Sequence, residues 1–317
     1  MTIRVTAASR LHFGLLHVPV SCDSASIQPL RKFGGLGLMV ERQGLVVEIT
    51  ESDAWLFEGN LAERAILYLL NMIMPRPLRV LAEGPPEHVG LGVGTALGMA
   101  LAEAVSMLNG HSHRPAMELA AMCGRGERSG IGVAGFRAGG LIVDPGKRDG
   151  EVISDCQSFP FPDAWRIVVA RPTVVSTWSG DPERAAFDRP RSLSESLATT
   201  ARLEELLQDA ILPALSRRDF KSFSESLTSY NRIAGEPFVA DQGGSYSSSE
   251  VIKVIGVLQQ LGVVGYGQSS WGPSVFAVME TEESAKAIAK ELRNLCPDLE
   301  SIEMACAAGP ARVEIFN

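Results

Sequence analysis

Residues 88–105 read HVGLGVGTALGMALAEAV. Gly90, Gly92 and Gly94 alternate with apolar residues, and Thr95 leads into a run of alanine, leucine and methionine. Glycine lets backbone N–H groups approach a ligand closely. The helix start that follows offers unbonded N–H groups and a partial positive end, a ready anion site. The stretch therefore reads as a phosphate loop opening a largely buried helix over 95–108. The plainer alternative is a tight turn into a core helix. No lysine follows the glycines, so this is not a Walker A loop. Their spacing is also wrong for a dinucleotide fingerprint.

Working outward, three further segments carry chemistry. Residues 123–140, CGRGERSGIGVAGFRAGG, set Arg125, Arg128 and Arg137 among glycines. Guanidinium forks match phosphate and carboxylate bidentately; the alternative is a solvated loop. In 265–274, GYGQSSWGPS, Gln268, Ser269 and Ser270 can hydrogen-bond a ligand and Trp271 can stack on a ring. The alternative there is a hairpin loop with Trp271 in the core. In 9–16, SRLHFGLL, Arg10 and His12 share a strand face away from Leu11 and Phe13. Asp144 ends the strand GGLIVD, where an aspartate usually initiates a turn. Glu127 lies between two arginines and reads as paired with them.

Periodicity predicts strands over 2–8 and 11–16 with a turn between them, and further strands over 44–50, 78–82, 139–144 and 163–172. A strand, glycine loop and strand occupy 263–280, and a last strand 311–317. Helices are predicted over 59–74 ending at Pro75, over 114–126 with Pro115 in the first turn, over 193–217, 218–230 and 283–294. Another, over 246–262, opens with Ser247 and Glu250 at capping-box spacing and stops at Gly262. Without a regular βαβ alternation the class is α+β, and a boundary near 155–165 divides the chain into 1–160 and 161–317.

The chain has 317 residues, 45% hydrophobic, and a net charge of −8 from 29 basic and 37 acidic residues. That balance argues against a broad nucleic-acid-binding face, so an anionic ligand must be met by a local arginine cluster. Cys22, Cys123, Cys156, Cys296 and Cys306 are scattered, form no C-x-x-C pair, and fit a reducing compartment without a zinc motif. Neither a signal-peptide core nor a membrane-spanning run is present. A soluble cytoplasmic protein is expected, with no membrane or nucleic-acid partner.

Taken in order, RLHFGL at 10–15, FGGLGL at 33–38, HVGLGVGTALGMALA at 88–102 and YGQSSWGPSVFAV at 266–278 resemble the GHMP superfamily of small-molecule kinases. Within it, GRGERSGIGVAGFRAGGLIVDPG at 124–146 resembles the β-ribofuranosylaminobenzene 5′-phosphate synthases. The resemblance implies an N-terminal domain like ribosomal protein S5 domain 2 and a ferredoxin-like C-terminal domain. It implies condensation of phosphoribosyl pyrophosphate with 4-aminobenzoate or 4-hydroxybenzoate. Pyrophosphate and CO2 are lost, leaving an aryl C-riboside phosphate for tetrahydromethanopterin biosynthesis. Arg125, Arg128, Ser129 and Asp144 would form the catalytic set. Arg10, His12, Gly35, His88, Gly90, Gly92, Gly94, Thr95, Gly130, Gly132, Gln268, Ser269, Ser270 and Trp271 would bind substrate. Mg2+ accompanying pyrophosphate, no ATP, and a homodimer are further expectations; no metal ligands are assigned. Two departures from the kinase pattern weaken phosphoryl transfer: Val93 stands where a serine is common, and the middle segment offers only Glu127 and Asp144 as acids. An ATP-dependent kinase of a sugar or polyol is the first alternative, and a non-catalytic ligand-binding module the second.

Overall fold

The computed structural model describes residues 1–18, 31–72, 76–148, 151, 155–174, 181–189 and 191–316, with backbone only at 42–43 and 181–184. Cys22, Ile73, Pro75 and Asn317 lie outside these residues. The elements run β1 (Thr2–Leu15), β2 (Gly35–Glu51), β3 (Leu56–Glu58), α1 (Ala62–Leu69), β4 (Leu78–Glu83), α2 (Val93–Leu108), α3 (Ala116–Met122), α4 (Ile131–Ala138), β5 (Leu141–Asp144) and β6 (Gln157–Phe159). Then come β7 (Arg166–Pro172), α5 (Asp181–Asp188), α6 (Leu193–Glu205), a π segment (Leu206–Ile211), α7 (Leu212–Arg217), α8 (Phe220–Gly235), a 3-10 turn (Glu236–Phe238) and α9 (Val239–Gln242). The remainder is α10 (Ser249–Gln260), β8 (Gly265–Gln268), β9 (Val275–Met279), α11 (Glu282–Leu295), β10 (Leu299–Ala305) and β11 (Arg312–Phe316).

The first sheet has seven strands among the described residues, ordered β11-β1-β2-β4-β3, with β5 and β6 joined on through β2. The long β2 serves two neighbours along its length, β5 at Gly35–Leu38 and β4 at Val46–Glu51. A continuous β1 replaces the predicted strand, turn and strand. Its irregularity is absorbed by register shifts against β2 at Ala7/Ser9 and at His12/Gly14. Bulges of this kind bend a strand and re-aim a side chain without ending it, and the second falls at His12. Alternation in β1 buries Ile3, Val5, Leu11 and Phe13, as the pattern requires. Against this sheet lies α2, whose run of alanine, leucine and methionine is buried around most of the helix.

The second sheet is four-stranded and antiparallel, ordered β10-β7-β9-β8, with α10 and α11 packed on it. Numbered within the unit, that order is 4-1-3-2, with α10 the last of several helices between strands one and two and α11 between three and four, a ferredoxin-like arrangement carrying a helical insertion. Both faces of β7 are buried: Ile167 and Val169 join the main core, Val168 and Ala170 the core under α10 and α11. A strand buried on two faces reads as an unbroken apolar run, which is why RIVVARP is legible.

Local corrections have physical causes. α4 forms within the glycine-rich 123–140 segment, where no helix is predicted. The helix predicted over 59–74 is Ala62–Leu69. The cap of α10 is Ser248, which accepts the Val251 N–H; the predicted Ser247 instead accepts a bond from the Gln268 amide. The helix over 193–217 forms, but Pro213 removes a donor near its C-terminal end and the hydrogen-bond register widens over Leu206–Ile211 just before it. Gly262 follows α10 at φ 73°, as expected of a C′ glycine. Arg218 closes α7 in the left-handed region at φ 55°, on the surface. Such a residue carries about 1 kcal/mol of backbone strain that glycine avoids. R218G is therefore expected to raise unfolding free energy by about 0.5–1 kcal/mol in denaturant titration.

Candidate active site

The helix start at 92–95 opens onto a cleft of about 410 Å3 that Gly92, Val93, Gly94 and Thr95 line. Gly92 is the N-cap of α2 at φ 70°; no side chain caps the helix and no acid sits in its first turn. The N–H groups of Thr95 and Ala96 return to Gly92 O, which leaves the earlier amides of the turn to the cleft. Two loops meet backbone to backbone beside it. A Cβ at Gly90 would lie 2.3 Å from Ser269 O, and one at Gly272 would lie 2.1 Å from Gly90 N. Hydrogen bonds close the seam. Ser269 Oγ donates to Gly90 O at 2.6 Å and accepts from His12 N at 2.9 Å. Ser274 Oγ donates to Val89 O at 2.6 Å, and Ser270 N to His12 O at 3.0 Å.

Arginines surround the loop. A Cβ added at Gly92 would lie 3.2 Å from Arg10 Nε, and one at Gly94 2.9 Å from Arg125 Nη2. Tyr68 ties these parts together: its hydroxyl donates to Gly94 O at 2.7 Å and accepts from Arg125 Nη2. The guanidinium carbons of Arg64 and Arg125 stand 5.3 and 5.1 Å from the Tyr68 ring centroid. Burial, then the neighbouring Arg64 and Arg128, lower the Arg125 pKa, with Glu127 opposing them. Arg125 Nε is buried without a hydrogen-bond partner. The cleft thus concentrates cations at a cost that a bound anion would relieve.

Sequence reasoning missed Arg64, Tyr68 and Glu87. They sit in or just after ordinary helix and turn segments, and no local signal points to them. Arg64 Nε lies 3.2 Å from Glu87 Oε1. Lys147 was missed too; its Nζ donates to Gly126 O at 2.6 Å and braces the 124–129 loop.

The expected site residues divide between cleft and frame. Arg10, His12, His88, Gly90, Gly92, Gly94, Thr95, Arg125, Arg128, Ser129, Gln268, Ser270 and Trp271 all line the cleft. Gly35, Gly130, Gly132, Asp144 and Ser269 do not. Asp144, expected in the catalytic set, is fully buried; its carboxylate accepts Gly130 N at 2.6 Å and Gly146 N at 2.9 Å. Ser269 is buried in the seam, and Gly132 lies against Thr95. Gly35 packs under His12 and Gly14. The Gln268 amide is spent on Ser247 and Gly272 rather than left for a ligand. Three of the non-glycine residues at positive φ (Phe33 at 60°, His88 at 65° and Ser270 at 57°) line this one cleft. Strain gathered in one place is a mark of functional sites.

His12 is buried, and its Nδ1 accepts the Gly14 N–H at 3.2 Å at the β1 bulge. Burial and then Arg10 hold its pKa well below the ordinary 6.5. The ring is therefore neutral and offers Nε2–H as a donor. His17 behaves alike, pushed down to about 4 by burial and then by Arg31. Both rings bind protons more readily in the unfolded chain, where histidine titrates near 6.5. The His17 contribution to stability is complete above about pH 6.5 and is lost as pH falls toward 4, and buried His12 acts in the same direction. Denaturant midpoints measured from pH 7.5 to 4.5 should fall along that window, and H17Q should flatten the slope.

Comparison with known proteins gives the cleft its context. Residues 211–298 match the family described as GHMP kinases C terminal. A homoserine kinase from Cytophaga hutchinsonii superposes with a TM-score of 0.70 at 16% identity, covering 99% of this chain and 97% of that one. The fold is the one shared by the GHMP kinase superfamily. Both expected domain folds of that superfamily are thereby present. The resemblance to its synthase branch is borne out as well. A "Beta-ribofuranosylphenol 5'-phosphate synthase" of Archaeoglobus fulgidus is 28% identical over 311 residues, 92% of each chain. One of the same name from Methanothermobacter thermautotrophicus is 33% identical over 208 residues, covering 62% of this chain and 61% of that relative. The glycine loop within 88–105 opens toward arginines. No helix among the described residues is long and apolar enough to cross a membrane.

Proposed function

We propose that the cleft joins phosphoribosyl pyrophosphate to 4-hydroxybenzoate or 4-aminobenzoate, releasing pyrophosphate and CO2. The observation that carries this reading is the convergence of Arg10, Arg64, Arg125 and Arg128 on an uncapped helix start. The substrates together bring a pyrophosphate, a 5′-phosphate and an aryl carboxylate, three anions for one cationic cleft. The phenol in the relatives' name favours 4-hydroxybenzoate as acceptor.

The electron flow needs little from the protein beyond binding. The ring oxygen or amine pushes density to the para carbon that bears the carboxylate. That carbon bonds the anomeric carbon of ribose while the C–O bond to pyrophosphate breaks, its electron pair leaving with pyrophosphate. The bond to the carboxylate then breaks, CO2 departs, and its electron pair restores the aromatic ring. No ring proton has to be removed. Preorganised donors at the departing pyrophosphate are the main catalytic device available, each worth about 3–4 kcal/mol in such sites. The amides at 92–94 and Arg125 would take that role, with Nε2–H of neutral His12 as a further donor. Magnesium arrives with the pyrophosphate substrate. No cluster of three metal-binding side chains occurs among the described residues, but Glu87 and Glu127 line the cleft. One or two carboxylates with phosphate oxygens and water suit Mg2+, so these two would hold it.

The test supplies phosphoribosyl pyrophosphate and carboxyl-labelled 4-hydroxybenzoate or 4-aminobenzoate without ATP. Labelled CO2 and pyrophosphate should appear together. Silence with both benzoates, or ADP formation with a sugar or polyol when ATP is added, would refute the reading.

A further inference from the structure

One wall of the cleft is aromatic. Phe33, Phe187, Phe238 and Trp271 line it and touch one another in a chain. The ring centroids of Phe33 and Phe187 are 5.7 Å apart, those of Phe187 and Trp271 5.6 Å, and those of Phe238 and Trp271 4.7 Å. The rings come from the turn before β2, from α5, from the 3-10 turn after α8 and from the β8–β9 loop. Phe238 and Trp271 are 4% and 7% exposed and belong to a small core of their own, so they form a floor. Phe33 and Phe187 are half-buried and present their rings above it. Phe33 does so from a left-handed backbone at φ 60°, a conformation bulky residues seldom adopt.

At the border of this wall stands a cation. The guanidinium carbon of Arg128 lies 5.1 Å from the Phe187 ring centroid, and Arg128 belongs to the same loop as Arg125. A ligand that satisfies both features is a flat ring bearing one anionic group. We infer that Phe33, Phe187 and Arg128 form an aryl-carboxylate subsite, with the benzoate ring against the two phenylalanines and its carboxylate on Arg128. The inference rests on the reaction proposed above and gives the two arginines different anions. Arg128 takes the carboxylate, and Arg125 the phosphates beside the helix start. The division has a chemical consequence. The carboxylate leaves as neutral CO2, so the contact with Arg128 exists before the reaction and not after it. Arg128 therefore binds the aryl substrate without binding the aryl product.

Calorimetric titration of the intact protein tests this, with inorganic pyrophosphate present to fill the phosphate half. The ligands are 4-hydroxybenzoate, phenol, and 4-hydroxycyclohexanecarboxylate as the saturated counterpart. The native protein should bind 4-hydroxybenzoate at least about tenfold more tightly than either analogue. R128Q should lose the preference over phenol, and F187A the preference over the saturated acid. F33L carries the second arm should F187A fail to fold. R125A should keep both preferences. The inference is overturned if native protein binds none of the three, if R128Q still prefers the benzoate to phenol, or if both ring variants still prefer it to the saturated acid. Preferences that hold while no CO2 is released leave the subsite standing and remove the reaction. Turnover with the preferences absent does the reverse.

Discussion

R125A is expected to lower kcat/KM for phosphoribosyl pyrophosphate by about 100- to 1,000-fold, the range seen when one preorganised donor is lost from a charge-stabilising site. The magnitude follows from the surroundings of Arg125. Its guanidinium is held by the Tyr68 hydroxyl, and that hydroxyl is fixed in turn by Gly94 O at 2.7 Å. The cation is therefore built onto the glycine loop and reaches the anion without reordering. R125K should recover only part of the loss, because an ammonium cannot keep the Tyr68 contact and a forked contact to phosphate together. Y68F leaves the arginine in place but frees it. It should raise KM for phosphoribosyl pyrophosphate more than it lowers kcat. Steady-state kinetics on the three variants checks the order. R125A with near-native kcat/KM would remove Arg125 from the site.

D144N is expected to cost about 2–4 kcal/mol of stability, measured by denaturant unfolding. The fully buried carboxylate accepts the Gly130 and Gly146 N–H groups on its two oxygens. Asparagine keeps one acceptor and turns an NH2 toward the other donor, so one buried N–H loses its partner and faces a second donor. The damage should also reach the cleft, since Gly130 is the hinge between the 124–129 loop and α4. Activity should therefore fall even under conditions where the variant stays folded. A stability change below about 0.5 kcal/mol, the scale of an ordinary surface substitution, would contradict this account.

Much of this is legible where a pattern is dense. The 95–108 helix and the doubly buried β7 announce themselves by continuous apolar runs. The strand, glycine loop and strand over 263–280 are readable, although β8 takes Gly265–Gln268, the first four residues of the stretch read as loop. What escapes depends on tertiary contact. α4 carries Gly132 and Gly135, poor helix formers; a Cβ at Gly135 would lie 2.3 Å from Met39 Sδ, so close packing on β2 dictates the glycine. β10 mixes polar and apolar residues that are mostly half-buried, and it shows no clean alternation. The turn role of Asp144 is readable, for its Oδ1 bond to Gly146 is local; the bond to Gly130, fourteen residues away, is not. Arg64 reaches the cleft, and Tyr68 reaches the Gly94 and Arg125 that line it, only because α1 packs on α2. A helix surface gives no hint of that from within eight residues.

The seam between Gly90 and Gly272 also limits how the cleft can breathe. Its two loops belong to different sheets, yet they are in backbone contact and bridged by Ser269 and Ser274. There is no slack for them to part without breaking buried hydrogen bonds. Substrate entry and product escape must therefore use motion elsewhere on the rim, with the seam as the fixed pivot. Amide exchange at His12 and Ser270, whose N–H groups bond across it, should be among the slowest of the residues around the cleft, marking the axis about which the rest of the site opens.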